Sequence, residues 1–323
     1  MNKIALVLPY YGALPPYFNF FLRSLRGMNF DVLFFSDLAV EEYPENFKII
    51  PMSFEEFKKL AAAKLEHSVR LDSPKRLCDF KPMYGKIFED YLKDYAYWAF
   101  GDCDLVYGRL FAEDVAAALE SGCDLYALHK CYISGPFCMI RNCARMNDLW
   151  READNWEEVL THEGSQCVAF DELLGDWHDQ LWRGVMTIEE CREKGDSFTA
   201  VVLRAQGLAL RMKDGISETV LTDGPLYVTD GKLLRAEGEV PCFHYVRSKL
   251  RKYFTYVECP YASIHDYVID DAGFYVTRAQ IVFRKLINLS RKFKAAVRSL
   301  RNNGLARLSP GWGMRHSPDI TGA

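Results

Sequence analysis

Two aspartates one residue apart, Asp102 and Asp104, stand in the stretch Tyr97–Tyr107 (YWAFGDCDLVY), among residues that otherwise read as core. Carboxylates at that spacing near a strand end can reach one divalent ion. Mg²⁺ or Mn²⁺ held this way readily bridges protein oxygens to a diphosphate. A D-x-D tripeptide alone recurs by chance and equally describes a surface turn. Its apolar setting argues for a partner, because a buried acid needs one. His244, in Pro241-Cys242-Phe243-His244-Tyr245, could add a neutral imidazole to such an ion, although a lone histidine in an apolar stretch also reads as a hydrogen-bonded core residue. Lys81 precedes a predicted helix, where an ammonium and the helix amides would add their fields on a phosphate. Arg247 and Lys249, just beyond His244, offer a second clamp for a diphosphate or plain surface charge. Asp171 and Glu172 open a predicted helix over Asp171–Trp182. Acids there either complement the helix dipole and cap free amides, or present a general base.

The elements that must position these groups alternate in type. Ile4–Tyr10, Asp31–Asp37 and Phe47–Ser53 read as buried strands, with helices over Pro16–Arg26 and Phe54–Glu66. A helix is predicted over 83–93, then one strand over Tyr97–Tyr107 carrying the acidic pair. Alternation of this kind implies a largely parallel sheet covered on both faces. Ligands gather at the carboxyl ends of such strands, which here carry Tyr10, Tyr11, Gly12, Asp37 and the Asp102–Asp104 segment. Further strands are expected at Asp124–Lys130 and Ile133–Ile140. Leu226–Val228 and Lys232–Arg235 form a hairpin around Thr229-Asp230-Gly231.

Composition narrows the class. With 49% apolar and 26% charged residues the chain has the balance of a soluble globular protein. No apolar run nears the roughly 18 residues of a membrane span. Pro9 interrupts the N-terminal apolar run, which therefore reads as a first strand and not a signal peptide. The ten cysteines contain no C-x-x-C pair and look like reduced core residues of a cytoplasmic protein. Against a net charge of −4, the tail Arg278–Ala323 carries ten Lys/Arg and one acid, leaving residues 1–277 at −13. An acidic body of this kind is a poor general binder of nucleic acid. On a helical wheel Val282, Leu286, Leu289, Phe293, Val297 and Leu300 share one face, with basic residues on the remaining arc. Residues 278–303 thus read either as a helix packed on the body or as a basic amphipathic helix on an anionic membrane surface. Two domains follow: 1–277 and the tail 278–323.

Taken together, the element order and the acidic pair resemble the GT-A class of glycosyltransferases, with its Rossmann-type α/β domain. More narrowly, Pro9–Gly12, Leu77–Gly85 (LCDFKPMYG), Gly101–Asp104, Arg141-Asn142 and Phe170–Glu172 resemble a bacterial family associated with surface-polysaccharide (capsule and lipopolysaccharide) genes. The resemblance covers about residues 3–250 and is most specific from Cys78 to Gly108. It departs at Pro136, where a histidine is expected after Gly135, so an acceptor contact by that histidine cannot be carried over.

The resemblance implies a metal-dependent transferase, with Mn²⁺ or Mg²⁺ on Asp102, Asp104 and His244. Its donor would be a nucleotide sugar, a UDP-sugar first among them, and its acceptor a glycan, lipid-linked if the tail meets a membrane. Asp79 would touch donor sugar hydroxyls and Lys81 the diphosphate; helix capping by Asp79 with a solvated Lys81 is the alternative. Tyr10, Tyr11 and Gly12 would line the nucleotide, the tyrosines by stacking or in ordinary packing, with Asp37 on ribose or base. Asp171, or Glu172 beside it, would be the base of an inverting enzyme. The expected location is cytoplasmic, peripheral on the inner face of the membrane. Two rivals share some of these features. A sugar-nucleotide nucleotidyltransferase has the sheet and metal, but its Gly-rich, basic first loop is replaced here by Tyr-Tyr-Gly-Ala-Leu-Pro-Pro. A non-catalytic, membrane-recruited binding module would keep the fold without the chemistry.

Overall fold

The structure is a computed structural model, and it describes residues 3–173, 180–181, 183–194, 196–217, 224–250, 254, 256, 259–270 and 273–277, with 279, 280, 282, 286, 290 and 297 of the tail. The chain divides into two compact units, Met1–Val276 and Thr277–Ala323. In the second, Ala279, Gln280, Val282, Leu286, Ser290 and Val297 are helical. The rest of the predicted 278–303 helix lies outside the described residues.

In chain order the strands of the first unit are β1 (Ile4–Pro9), β2 (Asp31–Ser36), β3 (Phe47–Pro51), β4 (Tyr97–Gly101), β5 (Leu105–Tyr107), β6 (Leu125–Ala127), β7 (Phe137–Arg141), β8 (Leu210–Met212), β9 (Ile216–Ser217), β10 (Leu226–Thr229), β11 (Lys232–Arg235), β12 (Gly238–Val240), β13 (Cys242–His244), β14 (Tyr267–Asp270) and β15 (Gly273–Tyr275). Seven build a mixed, mostly parallel sheet in the order β3-β2-β1-β4-β7-β6-β8. Its pairs are parallel except for β4–β7 and β6–β7.

Why β1, β4 and the middle of β2 are apolar is visible in the two cores. Ala5, Val7, Leu33, Phe35, Trp98 and Phe100 face one layer, with Phe57, Ala61 and Leu65 of the helix Phe54–Leu65. Ile4, Leu6, Leu8, Val32, Phe34, Tyr97 and Ala99 face the other, with the helices Phe18–Ser24 and Arg109–Ser121. Side chains alternate across a strand, so a strand covered on both sides must be apolar at every position. The helix Phe54–Leu65 starts where its sequence dictates. Ser53 accepts from the Glu56 N–H and the Glu56 carboxylate accepts from the Ser53 N–H, a reciprocal capping box.

Four predicted elements differ from expectation, the simplest being the strand over Ile133–Ile140, which starts only at Phe137 because Ser134-Gly135-Pro136 form a turn. The single strand over Tyr97–Tyr107 is two strands, with the chain leaving the main sheet at Asp102–Asp104. A continuous strand would have carried both carboxylates into one packed layer, where charge is costly; with the break, both line a cavity. The helix over 83–93 is only one turn, Tyr84–Ile87, and successive tight turns follow to Tyr95. Gly85 admits the contact that fixes this turn, since a Cβ there would lie 2.5 Å from the Trp98 ring. Asp171 and Glu172 lie in a turn and not in a helix, and residues 174–179 and 182 of the predicted 171–182 helix lie outside the described residues.

Two smaller sheets complete the unit. β5 pairs with β13 antiparallel and β13 with β9. The order β12-β11-β10-β14-β15 forms a meander-like antiparallel sheet. Its hairpin β10–β11 turns at Asp230 and Gly231, both with positive φ, 47° and 73°. That is the D-G turn read from sequence.

Candidate metal centre and cavity

The acidic pair meets its histidine through a strand pairing. β13 runs antiparallel to β5 with His244 opposite Leu105, and the Tyr245 N–H donates to the Asp104 carbonyl at 3.2 Å. One ligand atom each of Asp102, Asp104 and His244 thereby falls within 4.8 Å of the others, a largely buried group that could hold a metal ion. Two carboxylate oxygens and an imidazole nitrogen suit a hard or borderline divalent cation, and all three residues line one cavity.

Nitrogen groups of two side chains hold Asp104 in place. Lys249 Nζ lies 2.5 Å from Asp104 Oδ2, and His244 Nε2 lies 3.3 Å from the same oxygen. Burial would raise the Asp104 carboxyl, but the hydrogen bonds and charges of His244 and Lys249 keep it well below the usual carboxylate range. Lys81 Nζ sits 2.8 Å from Asp102 Oδ1 and 3.3 Å from Asp171 Oδ2, and donates to the Gly135 carbonyl at 3.0 Å. Burial alone would lower this ammonium; the surrounding Asp102, Cys78 and Asp171 hold it protonated. Burial pushes the Asp171 carboxyl well above its usual range, with Lys81 opposing. Asp102 is the most open of these six groups, with its side chain 32% exposed.

These groups line one cavity of about 650 Å³, together with Tyr10, Tyr11, Tyr17, Gly135, Pro136 and Glu172. Tyr10 lies over Phe34 and donates its hydroxyl to the Ala13 carbonyl. Tyr11 packs on Phe54 and Phe57, and its buried hydroxyl has no hydrogen-bond partner among the described residues. The turn Ser134-Gly135-Pro136 closes the cavity against the acidic residues. The Gly135 N–H donates to Glu172 Oε1 at 2.7 Å, and the Asp102 N–H donates to the Pro136 carbonyl at 3.2 Å. A Cβ on Gly135 would lie 2.8 Å from Asp171 Oδ2, and one on Gly101 would lie 2.8 Å from the Pro136 carbonyl oxygen. Both glycines are required by close approach, and Gly101 explains the residue that precedes the acidic pair.

Other expected site residues stand elsewhere. Asp79 does not face the cavity: it is fully buried, with Arg76 Nε at 2.8 Å from Oδ2, while Oδ1 accepts from the Val168 and Phe170 N–H groups. Its oxygens are taken by the protein, so the expected contact with a sugar is corrected to a structural one. Asp37 is exposed at the end of β2, and neither it nor Gly12 (φ 108°) lines the cavity. The Arg247 backbone is helical, and its side chain lies outside the described residues. Sequence reading missed Tyr17, Gly135 and Arg76. Arg76 donates to the Val159 and His162 carbonyls as well as to Asp79. Its only local signal is the i,i+3 spacing to Asp79.

The chain belongs to a family of unknown function, DUF6625, whose sequence model matches residues 6–258. No curated protein matches it. The matched span holds every cavity residue named above and stops before the basic tail.

Proposed function

We propose that this protein is a metal-dependent glycosyltransferase of GT-A type, taking its sugar from a nucleotide-sugar donor, a UDP-sugar first among them, and passing it to a glycan acceptor. One observation carries the reading: two carboxylates and an imidazole gather at a cavity whose lining includes Lys81, Lys249, Tyr10, Tyr11 and Tyr17. Mn²⁺ or Mg²⁺ bound there supplies charge against the negative charge that develops on a departing diphosphate. Lys249 and Lys81 add fixed positive charge beside it, and Tyr10, Tyr11 and Tyr17 offer ring faces and hydroxyls to a nucleotide. Asp171, whose carboxyl burial pushes up and so makes a stronger base, is the group suited to take a proton from an acceptor hydroxyl. Glu172 holds the Gly135 turn against it.

No described helix is long and apolar enough to cross a membrane. In the tail, Val282, Leu286 and Val297 are helical and exposed. An apolar row among so many basic residues supports attachment to the inner face of an anionic membrane, where a lipid-linked acceptor would be confined. A thermal-shift panel of nucleotide sugars, with and without Mn²⁺, tests the core of the reading. Stabilisation by a nucleotide sugar that requires Mn²⁺ is expected, since ligand binding raises apparent stability. No response to any nucleotide sugar under either condition overturns it.

A further inference from the structure

Two thiols stand in the cavity wall and take no part in the chemistry proposed above. Cys78 is half-buried in the short helix Leu77–Phe80, and Cys167 is exposed on the segment that passes in front of it. Both line the cavity, and each thiol stands near enough to the other to shift its titration.

Bonds on either side impose this meeting. Asp79, next to Cys78, accepts from the N–H groups of Val168 and Phe170, the first of them next to Cys167. Ser73 Oγ donates to the Ser165 carbonyl at 2.7 Å, and the Gly164 N–H donates to Asp72 Oδ2 at 2.9 Å. Arg76 ties the same segment at Val159 and His162. Residues 72–79 and 159–170 are therefore laced together along their length, and each segment carries one of the two thiols. The neighbouring Cys78 lowers the Cys167 thiol to about 6, against the effect of burial. Cys167 and burial push Cys78 up. An exposed, thiolate-prone cysteine beside a second thiol is the arrangement of an attacking and a resolving sulfur.

We propose that Cys78 and Cys167 form a redox-responsive dithiol, a modification site for low-molecular-weight disulfides, whose oxidation fastens the 159–170 segment to the cavity wall. The Cys167 thiolate attacks one sulfur of RS–SR, forming a mixed disulfide and releasing RS⁻. Cys78 then attacks the Cys167 sulfur and gives up its proton to a departing RS⁻. The Cys78–Cys167 bond forms and the second sulfur leaves. One protein thiolate and one thiol are oxidised, and one small disulfide is reduced to RSH and RS⁻. Asp171 follows directly on this segment and Lys81 on the helix that bears Cys78, so the lock acts on two charged groups of the cavity. The proposal stands whatever reaction the cavity supports.

The experiment treats the full chain with glutathione disulfide at pH 7 and maps its peptides without reduction. A Cys78–Cys167 cross-link is expected in the native chain, with Cys78→Ser stopping at a glutathione adduct on Cys167 and Cys167→Ser giving neither. Iodoacetamide at pH 6 is expected to label Cys167 in the reduced chain roughly tenfold faster than free cysteine, because more thiolate outweighs its lower nucleophilicity. A persistent glutathione adduct on Cys167 with Cys78 intact, or modification elsewhere with Cys167 untouched, overturns the proposal. Circular dichroism verifies each variant's fold; should one fail to fold, the native-chain map alone decides.

Discussion

Two carboxylate–cation groups lie within a few residues of each other in this chain, and they are built to opposite ends. At Arg76–Asp79 both side chains are fully buried and each oxygen or nitrogen has a protein partner, so the pair is closed. At Lys81–Asp102 and Lys249–Asp104 the same kinds of charge face a cavity, and the acids stand within reach of one another and of His244. A closed pair fixes backbone, whereas an open group retains sites that an incoming ion or anion can take. Two sequence positions, Asp79 and Lys81, separate these outcomes.

The strongest challenge to this contrast is Asp79→Ala. Removing one partner of a closed, buried pair leaves Arg76 charged and unmatched, a loss of about 3–5 kcal/mol in folding stability. Chemical denaturation of the metal-free protein checks it. A variant of native stability with weakened sugar-nucleotide binding would return Asp79 to the cavity. Next in size is Asp104→Asn, which on the transferase reading lowers metal-dependent turnover by at least about a hundredfold, or roughly 2.7 kcal/mol in the barrier. Asp102→Asn is expected to do the same with the fold intact by circular dichroism. Retention of a tenth or more of the activity would remove the pair from the role of metal ligands.

His244→Ala sharpens the open side. As a ligand it is expected to raise the Mn²⁺ concentration for half-maximal activity at least about tenfold, since even partners behind metal ligands are worth ten- to a hundredfold. Lost thermal stability with an unchanged metal requirement would make His244 a core residue. The smallest effect concerns Asp171. Its carboxyl is raised by burial above the unfolded-state value, so between those two values the folded chain binds the extra proton. Stability therefore rises as pH falls through that window, and above it the buried charge is a cost. Asp171→Asn is expected to melt higher at neutral pH, by roughly 2–4 °C for each kcal/mol recovered. The advantage fades as pH approaches the ordinary carboxylate range, while turnover falls. Lys81 keeps Asp102 and the Gly135 carbonyl in that variant. A lower melting temperature at neutral pH would show that Lys81–Asp171 belongs with the closed pairs.

What could be read from sequence was what is local. Alternating faces in β1, β2 and β4, the capping box at Ser53 and the Asp230-Gly231 turn are all written within a few residues. The acidic pair and His244 were legible as residue types, because acids and a histidine inside apolar runs need partners. Their meeting was not, since it depends on a β5–β13 register between segments about 140 residues apart. Asp79 was misplaced for the same reason: its spacing to Arg76 is local, but the amides of Val168 and Phe170 are not. Gly135 looked like an ordinary turn residue until Asp171 and Glu172 were found against it.

That register also sets an order of events as the chain is made. Domains form as synthesis proceeds from the N-terminus, and contacts distant in sequence close late. β1 to β4 can pair soon after residue 101 has emerged, yet β5 has no partner until β13 follows. A nascent chain already holding Asp102 and Asp104 thus presents two acids without their imidazole. The three groups come together only when nearly the whole first unit has left the ribosome, so the candidate ion site and its cavity arise as one event.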